Sequence, residues 1–323
     1  MDSVFFGGGT PSLLTGEQLR GILENIKDKF KVTSDCEISM EANPGTLDPE
    51  KLRAYHNAGV NRLSIGLQST RDEELKRIGR IHNWRDFLES YEAAKQEGFR
   101  NINIDLMSAL PSQTLSDYRM SLEKVLELKP EHISSYSLIL EEGTPLYERR
   151  KELSFPDEDT EREMYALTKE LLEAQGYHRY EISNYALPGY ECRHNLRYWR
   201  RGEYFGFGLG ASSYLDGHRR KNTSSMGEYI NSVNADGLPS YEEDILLTKD
   251  DAMAEFMFLG LRCTEGVSGE EFEESFGVSM ESVYGEVLDR YLNSGHLRQD
   301  GTRYCLTDAG IDVSNHIFSE FLI

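Results

Sequence analysis

The sequence predicts an α/β protein: an incomplete parallel barrel, missing its first strand, followed by a small, mainly helical, winged-helix-like domain. In the first half of the chain, short runs of β-branched residues alternate with amphipathic segments at intervals of about 25–40 residues. This alternation is typical of a parallel sheet with helices outside it. After about residue 241 the pattern changes to short helices and one hairpin.

The barrel strands are predicted at residues 3–6, 37–41, 62–67, 101–106 and 132–138. Capping boxes that begin at Thr15 and Thr114, and an N-cap at Asp48 followed by Pro49, mark helices between these strands. Because a strand already begins at residue 3, we expect an earlier strand–helix unit to be missing. The closed or partly closed barrel would then be a partial (β/α)6 barrel without its first strand.

Three domains are predicted: an incomplete barrel core at 1–155, an extension at 156–240 and a carboxyl-terminal domain at 241–323. In the last domain, helices are expected at 250–262, 269–276, 280–294 and from residue 308, with a hairpin that turns at Asp300-Gly301.

Charge and hydropathy exclude some functions. The 323 residues hold 35 Lys and Arg against 56 Asp and Glu, a formal net charge of −21. Such a surface repels phosphate backbones, so we expect no nucleic-acid binding, even by the winged-helix-like domain. No apolar run approaches the roughly 18–20 residues that span a bilayer, and no basic leader precedes an apolar segment. These features predict a cytoplasmic protein with no integral membrane segment.

One interval is basic. Residues 193–221 contain seven Lys and Arg side chains but only the acids Glu203 and Asp216. A local cationic patch on an acidic protein indicates a specific anionic ligand rather than a polymer.

Polar residues recur where the predicted strands end. The turn Gly7-Gly8-Gly9-Thr10 follows the first strand, and Glu41, Gln68 and Asp105 stand at or near the ends of the next three. Glycines let the backbone approach a ligand closely, and the carboxyl ends of parallel strands meet at one edge. The sequence therefore predicts a shared pocket.

The motifs GGGTP, EANPG, SIGLQS and NIDLMSALPSQT occur here in one order. Together they resemble the radical S-adenosylmethionine (SAM) family that contains oxygen-independent coproporphyrinogen III oxidase and its heme chaperone branch, over essentially the whole chain. The resemblance implies SAM contacts at Gly8, Gly9, Thr10, Glu41, Gln68, Arg80 and Asp105. The oxidase binds two SAM molecules, so the resemblance leaves open whether one or two bind here.

The same resemblance implies a 4Fe–4S cluster held by a CxxxCxxC loop. The cysteines of this chain are Cys36, Cys192, Cys263 and Cys305, none of them in such a spacing. We therefore expect the cluster ligands to be absent and the chain not to run radical chemistry as written.

His194-Asn195-Leu196-Arg197-Tyr198-Trp199 resembles the HNxxYW signature that is associated with heme in the chaperone branch. His194 is a competent axial iron ligand, and Tyr198 and Trp199 can pack on a porphyrin face. Asn195 completes the motif, and nearby arginines suit the propionates. His178, His218 and Cys192 are weaker alternative ligands.

The sequence favours a heme chaperone that binds heme and SAM and delivers heme to acceptor proteins. Two alternatives stay open: a coproporphyrinogen oxidase of porphyrin biosynthesis, and a cluster-less fragment or pseudoenzyme that serves as a scaffold. An exposed barrel edge also predicts a possible homodimer.

Overall fold

The computed structural model describes residues 1–322. The chain forms two compact units, Met1–His194 and Asn195–Ile323, and each is described by itself. In the described residues no helix is long and apolar enough to cross a membrane. The predicted three-domain division at residues 155 and 240 stays a prediction.

The first unit is built on a curled half-barrel sheet of seven strands in the order β1-β2-β3-β4-β5-β7-β6. Its strands are β1 (Ser3–Phe6), β2 (Glu37–Ala42), β3 (Arg62–Gln68), β4 (Ile102–Ser108), β5 (His132–Ser137), β6 (His178–Glu181) and β7 (Asn184–Ala186). The first five are parallel neighbours in chain order, which confirms the predicted parallel barrel strands. The last two form an antiparallel hairpin that closes the sheet beside β5.

The helices of this unit follow the predicted start signals. They are α1 (Gly16–Lys29), α2 (Pro49–Ala58), α3 (Asp72–Arg77), α4 (Trp84–Gln96), α5 (Leu115–Leu128), α6 (Pro145–Glu148) and α7 (Glu158–Ala174). Capping boxes at Thr15 and Thr114 and the Asp48 N-cap are all formed, because each side-chain oxygen accepts a backbone N–H of the first turn. Two short 3-10 turns occur at Pro11–Leu13 and Arg150–Glu152.

The two faces of the sheet differ in polarity. Alternate residues such as Ile38, Leu63 and Ile104 belong to one apolar core shared with the helices, so they form the outer face. The intervening residues form the inner face and are largely polar: Glu37, Ser39, Glu41, Arg62, Ser64, Asn103, Asp105, His132 and Ser134. Strand register aligns these residues across the sheet, as in the neighbours Ser64, Asn103 and His132. The barrel therefore has a polar interior.

The second unit combines two small sheets with short helices. A three-stranded antiparallel sheet has the order β10-β9-β8 and a second has the order β11-β13-β12. The strands are β8 (Ser212–Leu215), β9 (His218–Asn222), β10 (Tyr241–Leu246), β11 (Val267–Ser268), β12 (Leu297–Asp300) and β13 (Arg303–Leu306). The helices are α8 (Arg193–Trp199, which begins in the first unit), α9 (Met226–Asp236), α10 (Lys249–Gly260), α11 (Gly269–Phe276), α12 (Met280–Asn293), α13 (Asp308–Asp312) and α14 (Ser314–Ser319).

The C-terminal prediction is confirmed in its helices and in the hairpin between β12 and β13. The sheet of β8, β9 and β10 was not predicted. Its strands carry charged runs such as His218-Arg219-Arg220-Lys221, which hide the alternation that marks a half-buried strand.

Candidate functional site

The glycine turn after β1 reaches the end of β2. Gly8 and Gly9 have φ angles of +77° and +43°, in the left-handed region that favours glycine. The Gly8 N–H donates to Glu41 Oε2 at 3.3 Å. The turn is thereby fixed beside the Glu41 carboxylate.

Arg80 and Thr10 are joined through Asn43, which the sequence analysis did not select. Asn43 Nδ2 donates to Thr10 Oγ1 at 3.4 Å, and Arg80 Nη1 donates to Asn43 Oδ1 at 3.2 Å. The EANPG motif contains Asn43, but no role was predicted for this residue from the sequence.

Gln68 ends β3 in a strained conformation. Its φ is +71°, uncommon for a residue other than glycine, and its side chain is buried. Tyr136 Oη donates to Gln68 Oε1 at 3.3 Å, which brings the inner face of β5 into the same site. Tyr136 was also missed.

Asp105 lies inside β4, on the inner face and three residues before the end of the strand. Its Oδ1 accepts from Asn103 Nδ2 at 2.7 Å, and Ser64 Oγ lies 3.3 Å from Oδ2. Burial raises the pKa of Asp105, although these hydrogen bonds and the charge of Arg62 oppose the rise.

The pKa of Glu41 is also raised, first by burial and then by the negative charge of Asp105, against the Gly8 N–H. Two carboxyl groups whose ionised forms are disfavoured by their surroundings make a site suited to a cationic ligand. The structure thus places Gly8 beside Glu41, and Thr10 and Arg80 beside Asn43, while the SAM contacts of these residues stay predictions.

His194 lies elsewhere in the first unit, on the inner face of β1. Its Nδ1 shares a hydrogen bond with Ser3 Oγ at 3.1 Å. Its ring stacks on Phe5 with centroids 4.9 Å apart and an interplanar angle of 18°. His194 is therefore held in one orientation by both strand residues.

The polypeptide just before His194 is fixed by Glu37, a residue that sequence reasoning missed. Glu37 accepts from the Arg193 N–H at 3.0 Å and from the His194 N–H at 3.2 Å. The thiol of Cys192 lies 3.5 Å from Glu37 Oε1 and is fully buried.

The rest of the HNxxYW motif lies in the second unit. Tyr198 meets Tyr204 edge to face with centroids 4.6 Å apart, and the Arg262 guanidinium lies 4.4 Å from the Trp199 ring centroid. Asn195 follows His194 within α8.

The basic interval carries acidic partners that the local sequence did not reveal. The ion pairs are Arg193–Asp35, Arg200–Glu265, Arg201–Glu255, Arg219–Glu255, Arg220–Asp244 and Lys221–Glu242. His178 pairs with Glu191 and His218 with Asp244. The charge of the interval is therefore largely compensated within the fold, and the expectation of a specific anionic ligand there stays a prediction.

A cluster site is not found among residues 1–322: no group of three or more His, Cys, Asp or Glu side chains there could hold a metal ion. All four cysteines are buried and outside any disulfide, two in each unit. The described residues do not fit a 4Fe–4S cluster.

The first unit is a parallel half-barrel with a glycine turn and two partly buried carboxylates near the carboxyl ends of its strands. The comparisons with known proteins agree with this architecture. The Radical SAM superfamily matches residues 1–125, and the HemN C-terminal domain matches residues 247–313. The solved structure of coproporphyrinogen III oxidase (HemN) from Escherichia coli, a radical SAM enzyme, superposes with a TM-score of 0.86. It is 21% identical and covers 100% of this chain and 78% of that chain, which shows the fold.

Relatives that match this chain along almost its whole length show which family within the class it belongs to. The heme chaperone HemW of Bacillus subtilis is 41% identical over 100% of this chain and 86% of that protein. HemW of Lactococcus lactis is 40% identical over 99% of this chain and 84% of its own length. HemW of E. coli is 36% identical over the same shares. The chain belongs to the HemW family of radical SAM proteins, a class that implies SAM and a 4Fe–4S cluster.

Proposed function

We propose that this chain binds heme and delivers it to acceptor proteins, with SAM bound at the carboxyl edge of the barrel. The observation that carries the proposal is the similarity to proteins named heme chaperones along the whole chain, at up to 41% identity. The likeness to the oxidase is 21% identical and concerns the fold alone. The chaperone function is therefore preferred to porphyrin synthesis.

His194 is the proposed ligand of the heme iron. An imidazole is a common axial ligand, and a hydrogen bond to one ring nitrogen orients the other toward a metal. Ser3 supplies such a bond at Nδ1, so Nε2 would be the nitrogen that meets the iron. Asn195, Tyr198 and Trp199 stay predictions from the motif.

The residues of the carboxyl edge suit SAM. Its sulfonium and ammonium groups are cations, which favour the ionised forms of Glu41 and Asp105. Its carboxylate suits the guanidinium of Arg80, whose position Asn43 fixes. Gly8 and Gly9 leave space for a ligand, since a Cβ built on either would meet no atom within 4 Å. SAM would supply the adenosyl group at this edge.

Titration with hemin tests the heme proposal. We expect a Soret band for the wild-type chain that weakens and shifts in His194→Ala, because the iron loses its imidazole ligand. Imidazole added to His194→Gly should restore the wild-type spectrum. His316→Ala changes an exposed histidine of α14 and should leave the band unchanged.

Two results would contradict the proposal at different levels. A wild-type protein without a saturable Soret band would refute heme binding. An unchanged band in a folded His194→Ala variant would remove His194 as ligand and direct attention to His178, His218 and Cys192, each replaced in turn.

A further inference from the structure

We propose that Glu37 is the positioning residue of His194: its buried carboxylate fixes the start of α8 and thereby aims the imidazole into the barrel. The effect of Glu37 on heme binding rests on the function proposed above. The positioning itself is a property of the first unit and is tested without heme.

The geometry begins with two successive N–H groups on one carboxylate. Glu37 is the first residue of β2 and only 5% exposed. Its Oε2 accepts from the Arg193 N–H at 3.0 Å, and its Oε1 accepts from the His194 N–H at 3.2 Å. A strand residue thus holds two successive backbone N–H groups, those of Arg193 and His194.

Neighbouring contacts restrain the same segment. Cys192 Sγ lies 3.5 Å from Glu37 Oε1, and the Cys192 N–H donates to Tyr180 Oη at 3.3 Å. Tyr180 Oη in turn lies 2.8 Å from His132 Nε2. Three consecutive residues, Cys192 to His194, are therefore tied to the inner faces of different strands.

A buried cation on the neighbouring strand β3, Arg62, offsets the negative charge of the Glu37 carboxylate. Arg62 is 2% exposed, and Ser39, on the same face as Glu37, is its register partner. Burial alone would lower the pKa of Arg62, but the electrostatic influence of the acidic groups Cys192, Glu37, Tyr180 and Asp105 raises it overall. Charge is thus balanced within the interior, where an uncompensated carboxylate would be costly.

Hydrogen bonds to backbone N–H groups are common at the start of any helix. Here the imidazole ring of His194 is fixed as well. His194 stacks on Phe5 and bonds Ser3, both on β1. Since Ser3 is the register partner of Glu37, one carboxylate and one neighbouring hydroxyl hold the backbone and the ring of the same histidine.

The test compares Glu37→Gln with Glu131→Gln. In the variant at Glu37, one carboxylate oxygen becomes an NH₂ donor that faces N–H donors. Glu131 is a matched control, because its Oε2 likewise accepts a backbone N–H, that of Ile102 at 3.0 Å, and its side chain is part-buried. Both variants should lose stability through a lost charge-assisted bond, and only Glu37→Gln should disturb His194.

The first measurement uses the protein without heme. In Glu37→Gln we expect loss of the nuclear Overhauser contacts between the His194 and Phe5 rings. We also expect alkylation of Cys192, followed by peptide mapping, to become at least about tenfold faster. Unchanged ring contacts and an unchanged Cys192 rate in a folded variant would overturn the positioning role.

The second measurement uses hemin. We expect Glu37→Gln to weaken hemin binding about tenfold, the equivalent of one charge-assisted hydrogen bond, with loss of the imidazole-ligated spectrum. Glu131→Gln should keep the wild-type spectrum. If the ring contacts change while the heme spectrum does not, Glu37 still positions His194, and it is the proposed ligand role of His194 that fails.

Discussion

Glu41 and Asp105 are single residues whose protonation should report on ligand binding. Burial raises both pKa values, so the folded chain holds these protons more tightly than the unfolded chain. Their contribution to stability is then fully present below the ordinary carboxyl pKa, near 4. It falls as the pH rises through the raised values.

SAM binding should have the opposite dependence on pH. A cation beside the two groups favours their ionised forms, so binding releases protons and strengthens as the pH rises through the raised pKa values. Calorimetry at a series of pH values upward from the ordinary carboxyl range should show this rise, with a weaker and flatter profile for Glu41→Gln. An affinity that increases toward acid would contradict the assignment.

At the residue scale, chain position alone decides part of the surroundings of the predicted carboxyl-edge residues. Gln68 ends β3, Glu41 lies one residue before the end of β2 and Asp105 lies inside β4, so their placement toward one edge follows from parallel topology. Asn43, Tyr136 and Glu37 were missed, because their roles depend on which partners the register brings close. The ion pairs of Arg201 and Arg219 with Glu255 were invisible for the same reason, as the partners are 54 and 36 residues apart.

At the scale of elements, the start of α5 shows why the helices were predictable. Thr114 Oγ1 accepts the Asp117 N–H at 3.1 Å and donates to Asp117 Oδ2 at 2.7 Å. Such caps are local in sequence, so four residues suffice to specify them. The sheet of β8, β9 and β10 lacks a local signal of this kind, which is why it was missed.

Thr114→Ala should lower the free energy of unfolding by about 1 kcal/mol, because one N–H of the first turn loses its acceptor. Denaturant titration followed by circular dichroism measures the change. Ser116→Ala, an exposed substitution in the same helix, should be neutral or slightly stabilising. Equal effects of the two substitutions would show that the cap does not stabilise the helix.

At the scale of the whole molecule, the net charge of −21 dominates the surface. Like charges repel each other in the compact state, and salt screens that repulsion. The basic interval at residues 193–221 is the main local exception to this negative charge, and its basic side chains are largely paired with acidic ones.

The thermal midpoint should therefore rise by about 2–4 °C between 10 and 200 mM NaCl at pH 7.5, as measured by scanning fluorimetry. The same titration at pH 5, close to the sequence pI of about 4.8, serves as the control and should show little change. A midpoint that falls with salt at pH 7.5 would mean that favourable ion pairs outweigh the repulsion.

The opposite polarity of the two sheet faces also bears on how the chain finds its fold. A strand that paired one residue out of register would turn Arg62 or Asp105 toward the apolar helices and Leu63 or Ile104 toward the interior. Burying an uncompensated charge costs several kcal/mol, so misregistered pairings are strongly disfavoured. The polar inner face that suits a ligand thus also favours the native strand register during folding.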